Sequence, residues 1–157
     1  MLEHEVRLKD LLPAIQQQLS AGKTVTFSPR GVSMLPMLRQ GVDRVTLSAV
    51  QGRLKKYDLP LYRLDNGKFI LHRIVGVGET YTCRGDNTYV DETGIRQDQL
   101  IAVVTGFTHG EKAWSTEAPI YRLYCRVWVG AYPLRRFWRR GMGWLRRHGL
   151  WPQQKSE

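Results

Sequence analysis

Three stretches of the chain carry residue types that acyl-transfer chemistry needs. The first is Ser28-Pro29-Arg30-Gly31-Val32-Ser33-Met34-Leu35-Pro36-Met37-Leu38. A serine between a flexible glycine and a Met-x-Pro corner sits on a loop that presents both its hydroxyl and its backbone N–H to an incoming carbonyl. Such a serine is inert until a base within hydrogen-bond reach takes its proton. Of the four histidines, His4 lies in a charged leader, His109 beside Gly110 in a hairpin turn and His148 in a basic tail, so these three read as solvated. Only His72 lies inside an apolar run, Phe69-Ile70-Leu71-His72-Arg73-Ile74-Val75. On a strand of period two it shares a face with Ile70 and Ile74. The third stretch, Arg84-Gly85-Asp86-Asn87-Thr88-Tyr89-Val90-Asp91-Glu92, offers carboxylates that can accept a histidine Nδ1–H and fix its ring. Each stretch also has a plainer reading: His72 as a hydrogen-bonded core histidine, and the Asp/Asn-rich segment as a polar turn.

The elements that must position these residues follow from periodicity. Leu11, Leu12, Ile15 and Leu19 recur at helical spacing, which predicts a helix over 11–19 capped by Asp10, tolerant of Pro13 in its first turn and ended by Gly22. From Thr24 the period shortens, and strands are expected at 24–27, 44–49, 59–64, 68–77, 80–84 and 100–108. Asp65-Asn66-Gly67 is a hairpin signal, because Asn-Gly suits a turn needing positive φ. After Pro119, Tyr121, Tyr124, Trp128 and Tyr132 return to helical spacing, and Pro133 splits that helix from a second basic segment, 134–148. The expected organisation is an N-terminal helix (1–22), one largely antiparallel β-domain (23–118) and a basic aromatic helical tail (119–157).

At 157 residues the chain is about one domain long, and 42% hydrophobic with 24% charged residues fits neither a disordered tail nor a membrane-embedded protein. Charge is the outlier, with 24 Lys plus Arg against 14 Asp plus Glu for a net +10. From Ile120 onward nine bases face one acid, so the tail holds +8 and the rest only +2. Met1–Asp10 alternates charges without an apolar run, and arginines interrupt the best apolar stretch elsewhere, so a cytoplasmic body is expected. Cys83 and Cys125 are too few and too far apart for a disulfide framework or a metal site, and read as buried thiols; no cofactor or metal is expected. In the tail, Arg135, Arg136, Arg139, Arg140, Arg146 and Arg147 interleave with Phe137, Trp138, Trp144 and Trp151. Such a segment suits peripheral binding to an anionic membrane on its inner face, nucleic acid, or docking on the body. The Trp-rich amphipathic period favours lipid over nucleic acid. Part of 121–132 is expected to pack on the β-domain, since so much apolar area is rarely left open.

Taken in order, Gly31-x-Ser33-Met34-x-Pro36-x-Leu38, then Leu71-His72-Arg73-Ile74-Val75, then Gly85-Asp86-Asn87 with Asp91 downstream, resemble the boxes of the S24/S26 serine peptidases. These form the superfamily of type I signal peptidases and LexA-like self-cleaving repressors, and the resemblance spans residues 24–107. It implies a mainly β fold, an antiparallel β-sheet domain of the signal peptidase/LexA-like type. Residue by residue it implies Ser33 as nucleophile with its own N–H as an oxyanion donor, and Met34 as the floor of the substrate site. His72 takes the place of the base, as in the endoplasmic-reticulum and archaeal signal peptidases, where bacterial relatives use lysine. A histidine, with a pKa of about 6.5, needs no desolvation to be neutral at cytosolic pH. Gly31 stands where many bacterial signal peptidases have an oxyanion-binding serine, leaving the hole to backbone amides, and Tyr57-Asp58 replaces the usual Gly-Asp. Asp91 is the preferred orienter of His72, with Asp86 as a loop-structuring residue or alternative orienter. The expected activity is a serine endopeptidase cleaving an extended peptide or leader segment through a Ser33/His72 dyad, or a triad with Asp91. Two alternatives stand beside it. One is a non-catalytic peptide- or membrane-binding module on the same fold; the weaker is a LexA-like regulator, for which the residues ahead of the β-domain are too few to form a helix-turn-helix.

Overall fold

The computed structural model describes residues 8–147, with side chains from 10 to 142. His4, His148, Trp151 and Lys155 lie outside the described residues, and Trp144, Arg146 and Arg147 outside the described side chains. Helix α1 spans Leu8–Ser20, so Asp10 sits in its first turn rather than at its cap; there its charge still meets the positive end of the helix. Ile15 and Leu19 turn inward, while Leu11 is exposed.

Nine strands follow among the described residues: β1 (Val25–Phe27), β2 (Val45–Ser48), β3 (Pro60–Arg63), β4 (Phe69–Leu71), β5 (Arg73–Val77), β6 (Tyr81–Arg84), β7 (Glu92–Ile95), β8 (Leu100–His109) and β9 (Lys112–Ser115). All their pairings are antiparallel, so the mainly antiparallel β architecture expected from the sequence is present. It is divided between two sheets. The larger runs β1-β2-β8-β3-β4, with β9 added to the far half of β8, and the smaller is β5-β6-β7. The long β8 serves both halves of the larger sheet, pairing β3 through Leu100–Val103 and β9 through Gly106–His109.

The expected single strand over 68–77 is in fact two. It breaks at His72, where the chain leaves the larger sheet and enters the smaller. Just beyond the break, Ile74 exchanges backbone bonds with Tyr57 and Asp58, its carbonyl accepting from Tyr57 N (2.8 Å) and its N–H donating to Asp58 O (2.9 Å). Tyr57 makes this possible by adopting φ +81°, the left-handed region that suits glycine and costs other residues about 1 kcal/mol or more. The tyrosine at that position therefore keeps the turn a glycine would make. Each sheet has its own core. Val45, Leu47, Leu59, Leu61, Ala102 and Val104 pack under α1 and the Met34–Leu38 loop, whereas Tyr62, Ile74, Tyr81, Cys83 and Ile95 fill the second.

Two further helices follow among the described residues. Helix α2 spans Pro119–Gly130 and α3 spans Tyr132–Arg147, with the break at Ala131 and Pro133 in the first turn of α3, where its missing N–H has no partner to lose. Tyr121 and Cys125 of α2 are buried against the larger core, so this part of the segment packs on the body. Cys83 and Cys125 are free, buried thiols; burial pushes the Cys83 thiol up to about 12. Among the described residues no helix is long and apolar enough to cross a membrane.

Candidate active site

The Ser28–Leu38 segment forms an irregular loop between β1 and β2, containing a cis Leu35–Pro36 peptide. Its apolar side anchors it, because Met34, Met37 and Leu38 are all buried in the larger core. Gly31 takes φ +89° and donates its N–H to Gln40 Oε1 at 2.8 Å. That amide is committed, so Gly31 shapes the loop and is not an oxyanion donor. The Ser33 and Met34 N–H groups, by contrast, have no acceptor among the described residues.

A second loop, 85–91, is sewn to the first. Asn87 donates its backbone N–H to the Ser33 carbonyl (2.8 Å) and its Nδ2 to the Val32 carbonyl (3.1 Å). Gly85 allows the approach, since a Cβ on it would fall 2.7 Å from Ser33 O and 2.9 Å from His72 Nε2. Ser33, Gly85 and the outer nitrogen of His72 thus meet at one point, and only a residue without a side chain fits between them.

His72 is buried at the seam between the sheets. Its Nδ1 lies 3.0 Å from Glu92 Oε2, and the Tyr62 hydroxyl donates to the same carboxylate oxygen. Tyr62 is fully buried; burial first, and then the Glu92 hydrogen bond, push its phenol ionisation up, so it remains a donor. A carboxylate that accepts both bonds fixes Nδ1 as the protonated nitrogen and leaves Nε2 as acceptor toward Gly85 and Ser33. Ser33 and His72 line one pocket of about 150 Å³ with Met34, Leu38 and β4. The Ser33 hydroxyl itself has no hydrogen-bond partner among the described residues. Nor do three His, Cys, Asp or Glu side chains converge among them as metal ligands would.

Asp91, the expected orienter of His72, is held elsewhere. Arg84 grips it through both Nε and Nη2, the latter at 2.9 Å, and that bond holds its carboxyl below the usual range. Glu92 takes the role instead. The two are neighbours in sequence, and at the start of a strand neighbours face opposite ways; no periodicity marks a strand at 92–95, so the sequence does not favour the second carboxylate. Tyr62 was missed for a related reason, because inside an apolar strand it reads as core.

Asp86 is buried and makes its bonds away from His72. It forms a two-bonded pair with Arg73, Nε–Oδ1 and Nη2–Oδ2 both at 2.8 Å, in which Arg73 is 0% exposed. Burial opposes the charge on Arg73, but Asp86 outweighs it and raises the guanidinium pKa further. Tyr57 O, Tyr121 Oη, Cys125 Sγ and Met37 Sδ accept its remaining donors, and Tyr124 donates its hydroxyl to Asp86. The terminal helices then clamp the loop from outside. Trp128 Nε1 and Arg135 Nη1 both donate to Asp86 O at 2.9 Å, and Tyr132 donates to Tyr89 O. Arg84 lies 3.4 Å over the Tyr132 ring. The segment expected as an appended tail is in its first half a brace for the loop that positions Gly85 and Glu92. Comparison with models of known protein families finds none that matches the chain, and comparison with curated proteins finds no match either.

Proposed function

We propose that the protein is a serine endopeptidase of the S24/S26 kind, with Ser33 as nucleophile, His72 as general base and Glu92 as the carboxylate that orients and charge-compensates His72. The observation that carries this reading is the His72 Nδ1–Glu92 bond with Nε2 turned toward the Ser33 loop. In the first step Ser33 Oγ attacks the scissile carbonyl as its proton passes to Nε2, and the resulting imidazolium is stabilised by Glu92. The carbonyl oxygen gains the negative charge, for which the uncommitted Ser33 and Met34 amides are the available donors. The proton then goes to the leaving amine as the peptide bond breaks, leaving an ester on Ser33. Water, deprotonated by His72, hydrolyses that ester and regenerates the hydroxyl. Attack requires the Ser33 side chain to turn onto Nε2, a closure often completed only when substrate binds. An extended peptide fits the surroundings, because β4 is an edge strand paired only with β3 among the described strands and forms a wall of the Ser33 pocket. A fluorophosphonate probe should label Ser33 covalently, and labelling should disappear in Ser33→Ala and fall about a hundredfold or more in His72→Ala. Absence of Ser33 labelling in folded protein points instead to a binding module without turnover.

A second reading concerns where the enzyme works, and we infer peripheral attachment to an anionic lipid surface. Helix α3 packs with its polarity reversed, its Arg135 and Tyr132 turned to the body while Leu134, Phe137 and Trp138 are 69%, 74% and 70% exposed. Ile120, Leu123 and Val127 form a similar outward stripe on α2. Arg126 and Arg140, each three residues beyond an exposed apolar residue, border these stripes. Aromatic insertion with flanking arginines suits an anionic interface, whereas pairing two copies would bring together two helices that carry no acid between them. Co-sedimentation with phosphatidylglycerol vesicles should be strong, weak with phosphatidylcholine alone, and lost in Phe137→Ser/Trp138→Ser. Self-association without lipid, abolished by the same pair, assigns the face to a second copy.

A further inference from the structure

Beside the Ser33 pocket, on the far side of Asn87, lies a second cleft of about 490 Å³ lined by Asn87–Val90 and by Arg136, Arg139 and Arg140 of α3. Among the described residues none of these three arginines makes an ion pair or a hydrogen bond to the protein. Arg139 rests 4.6 Å from the Tyr89 ring centroid, which fixes one wall. Asp91, whose carboxyl feels the charge of Arg136, is bonded instead by Arg84. The facing loop adds donors, because the Tyr89 and Val90 N–H groups have no acceptor among the described residues. Three guanidinium groups that converge beside a single carboxylate, itself held by Arg84, opposite uncommitted amides, make a site for an anion, and the planar guanidinium fork matches a carboxylate. Arg136 and Arg139 lie on the side of α3 turned from its exposed apolar face, so a bilayer under that face does not use those two, while Arg140 stands at the border of the two faces.

We infer that this cleft binds acidic side chains of the peptide substrate, a few residues from the scissile bond. The inference rests on the peptidase reading of Ser33 for the word substrate. The anion site rests on the arginines alone. The connection between the two pockets is Asn87, which holds the Val32 and Ser33 carbonyls and also forms part of the arginine cleft. A chain lying across the Ser33 loop therefore passes from one to the other.

The test is direct binding to Ser33→Ala protein, which keeps the outcome independent of turnover. The probes are a fluorescent Glu-rich decapeptide, its Gln counterpart, inorganic phosphate as competitor, and a single-stranded oligonucleotide. The Glu peptide should bind at least about tenfold more tightly than the Gln peptide, with affinity falling as salt rises. Arg136→Gln/Arg140→Gln and Arg136→Glu/Arg140→Glu, both at exposed positions, should each lose that preference, with thermal melts verifying that the protein is folded. An unchanged Glu preference in both variants overturns the site. Equal or tighter binding of phosphate or the oligonucleotide overturns the peptide assignment. If Ser33 is never labelled by a fluorophosphonate but the charge preference behaves as stated, the cleft stands and the catalytic reading falls; labelling without any Glu preference does the reverse.

Discussion

His72 Nδ1 and Glu92 Oε2 stand 3.0 Å apart across the smaller sheet's open end, one residue before β5 and at the first residue of β7. Neither strand pairs with the other, since β6 lies between them, so the contact is made by side chains reaching past a strand. Tyr62 joins from the larger sheet by bonding the same oxygen. The carboxylate thus gathers donors from both sheets at the place where the chain crosses between them, and the ring it holds is fixed by each sheet's own packing. Glu92 is 27% exposed at its side chain, so the carboxylate that restrains the buried imidazole lies at the edge of the site.

Glu92→Gln should therefore slow fluorophosphonate labelling of Ser33 by about a hundredfold or more, since an amide neither enforces the tautomer nor stabilises the imidazolium. Asp91→Asn, whose partner is Arg84, should label within a few-fold of the unaltered protein. Labelling rates of the two variants, taken at one pH, decide the matter. The reverse ranking restores Asp91 as the orienter.

Gly85→Ala should be damaging out of proportion to one methyl group. The added carbon meets Ser33 O at 2.7 Å and His72 Nε2 at 2.9 Å, neither of which is a flexible side-chain end, so either the two loops separate or the ring moves. Overpacking of this kind costs about 1–3 kcal/mol. The melting temperature should fall by several degrees, roughly 2–4 °C per kcal/mol for a chain this long, and labelling of Ser33 should drop further than the stability loss explains. A Gly94→Ala control is strained by its positive φ but has open space around it, and should leave labelling intact.

How far the sequence alone reaches is clearest at these residues. The Ser33 loop, the antiparallel strands and the helix break just ahead of Pro133 are legible because each is marked locally, by turn residues, period or proline. The crossing at His72 is not, because an apolar run has the same pattern whether it serves one sheet or two. Glu92 and Tyr62 depend on that crossing, which alone brings β3 and β7 to one histidine. Arg73 is hidden for another reason: an arginine inside a strand reads as exposed, and only Asp86, Tyr121 and Cys125 arriving from distant segments let it be buried.

Breaking the Arg73–Asp86 pair from either side should be among the costlier single changes in this protein. Asp86→Asn leaves a fully buried guanidinium without its counter-charge, and removing one partner of such a pair costs about 3–5 kcal/mol. The same change weakens the bond by which Tyr124 of α2 holds the loop. Replacing both partners, Arg73→Met with Asp86→Leu, should recover part of the loss, because no unpaired charge then remains. Urea unfolding of the two singles and the double supplies the coupling. Additive losses overturn the view of the pair as one unit.

Asp43 predicts how stability responds to acid. Its carboxylate is buried beneath the β8–β9 turn, where Arg39 donates from its side chain and its backbone N–H, and Gly110 N–H adds a third contact. The Arg39 side-chain bond, more than burial opposes it, holds the Asp43 pKa well below the usual carboxylate range. In the unfolded chain the group titrates near 3.9, so between that value and the lower folded one the unfolded state binds the proton first. The stability Asp43 contributes is complete above about pH 5 and is lost progressively as pH falls toward its folded pKa. Asp43→Asn should accordingly melt lower than the unaltered protein at pH 7, by roughly 2–4 °C for each kcal/mol removed. The gap should narrow between pH 5 and pH 2, because the substituted protein has lost that share of the acid response. Melting curves at unit pH steps test it, and a gap that stays constant down to pH 2 would show that Asp43 does not gain its stability through ionisation.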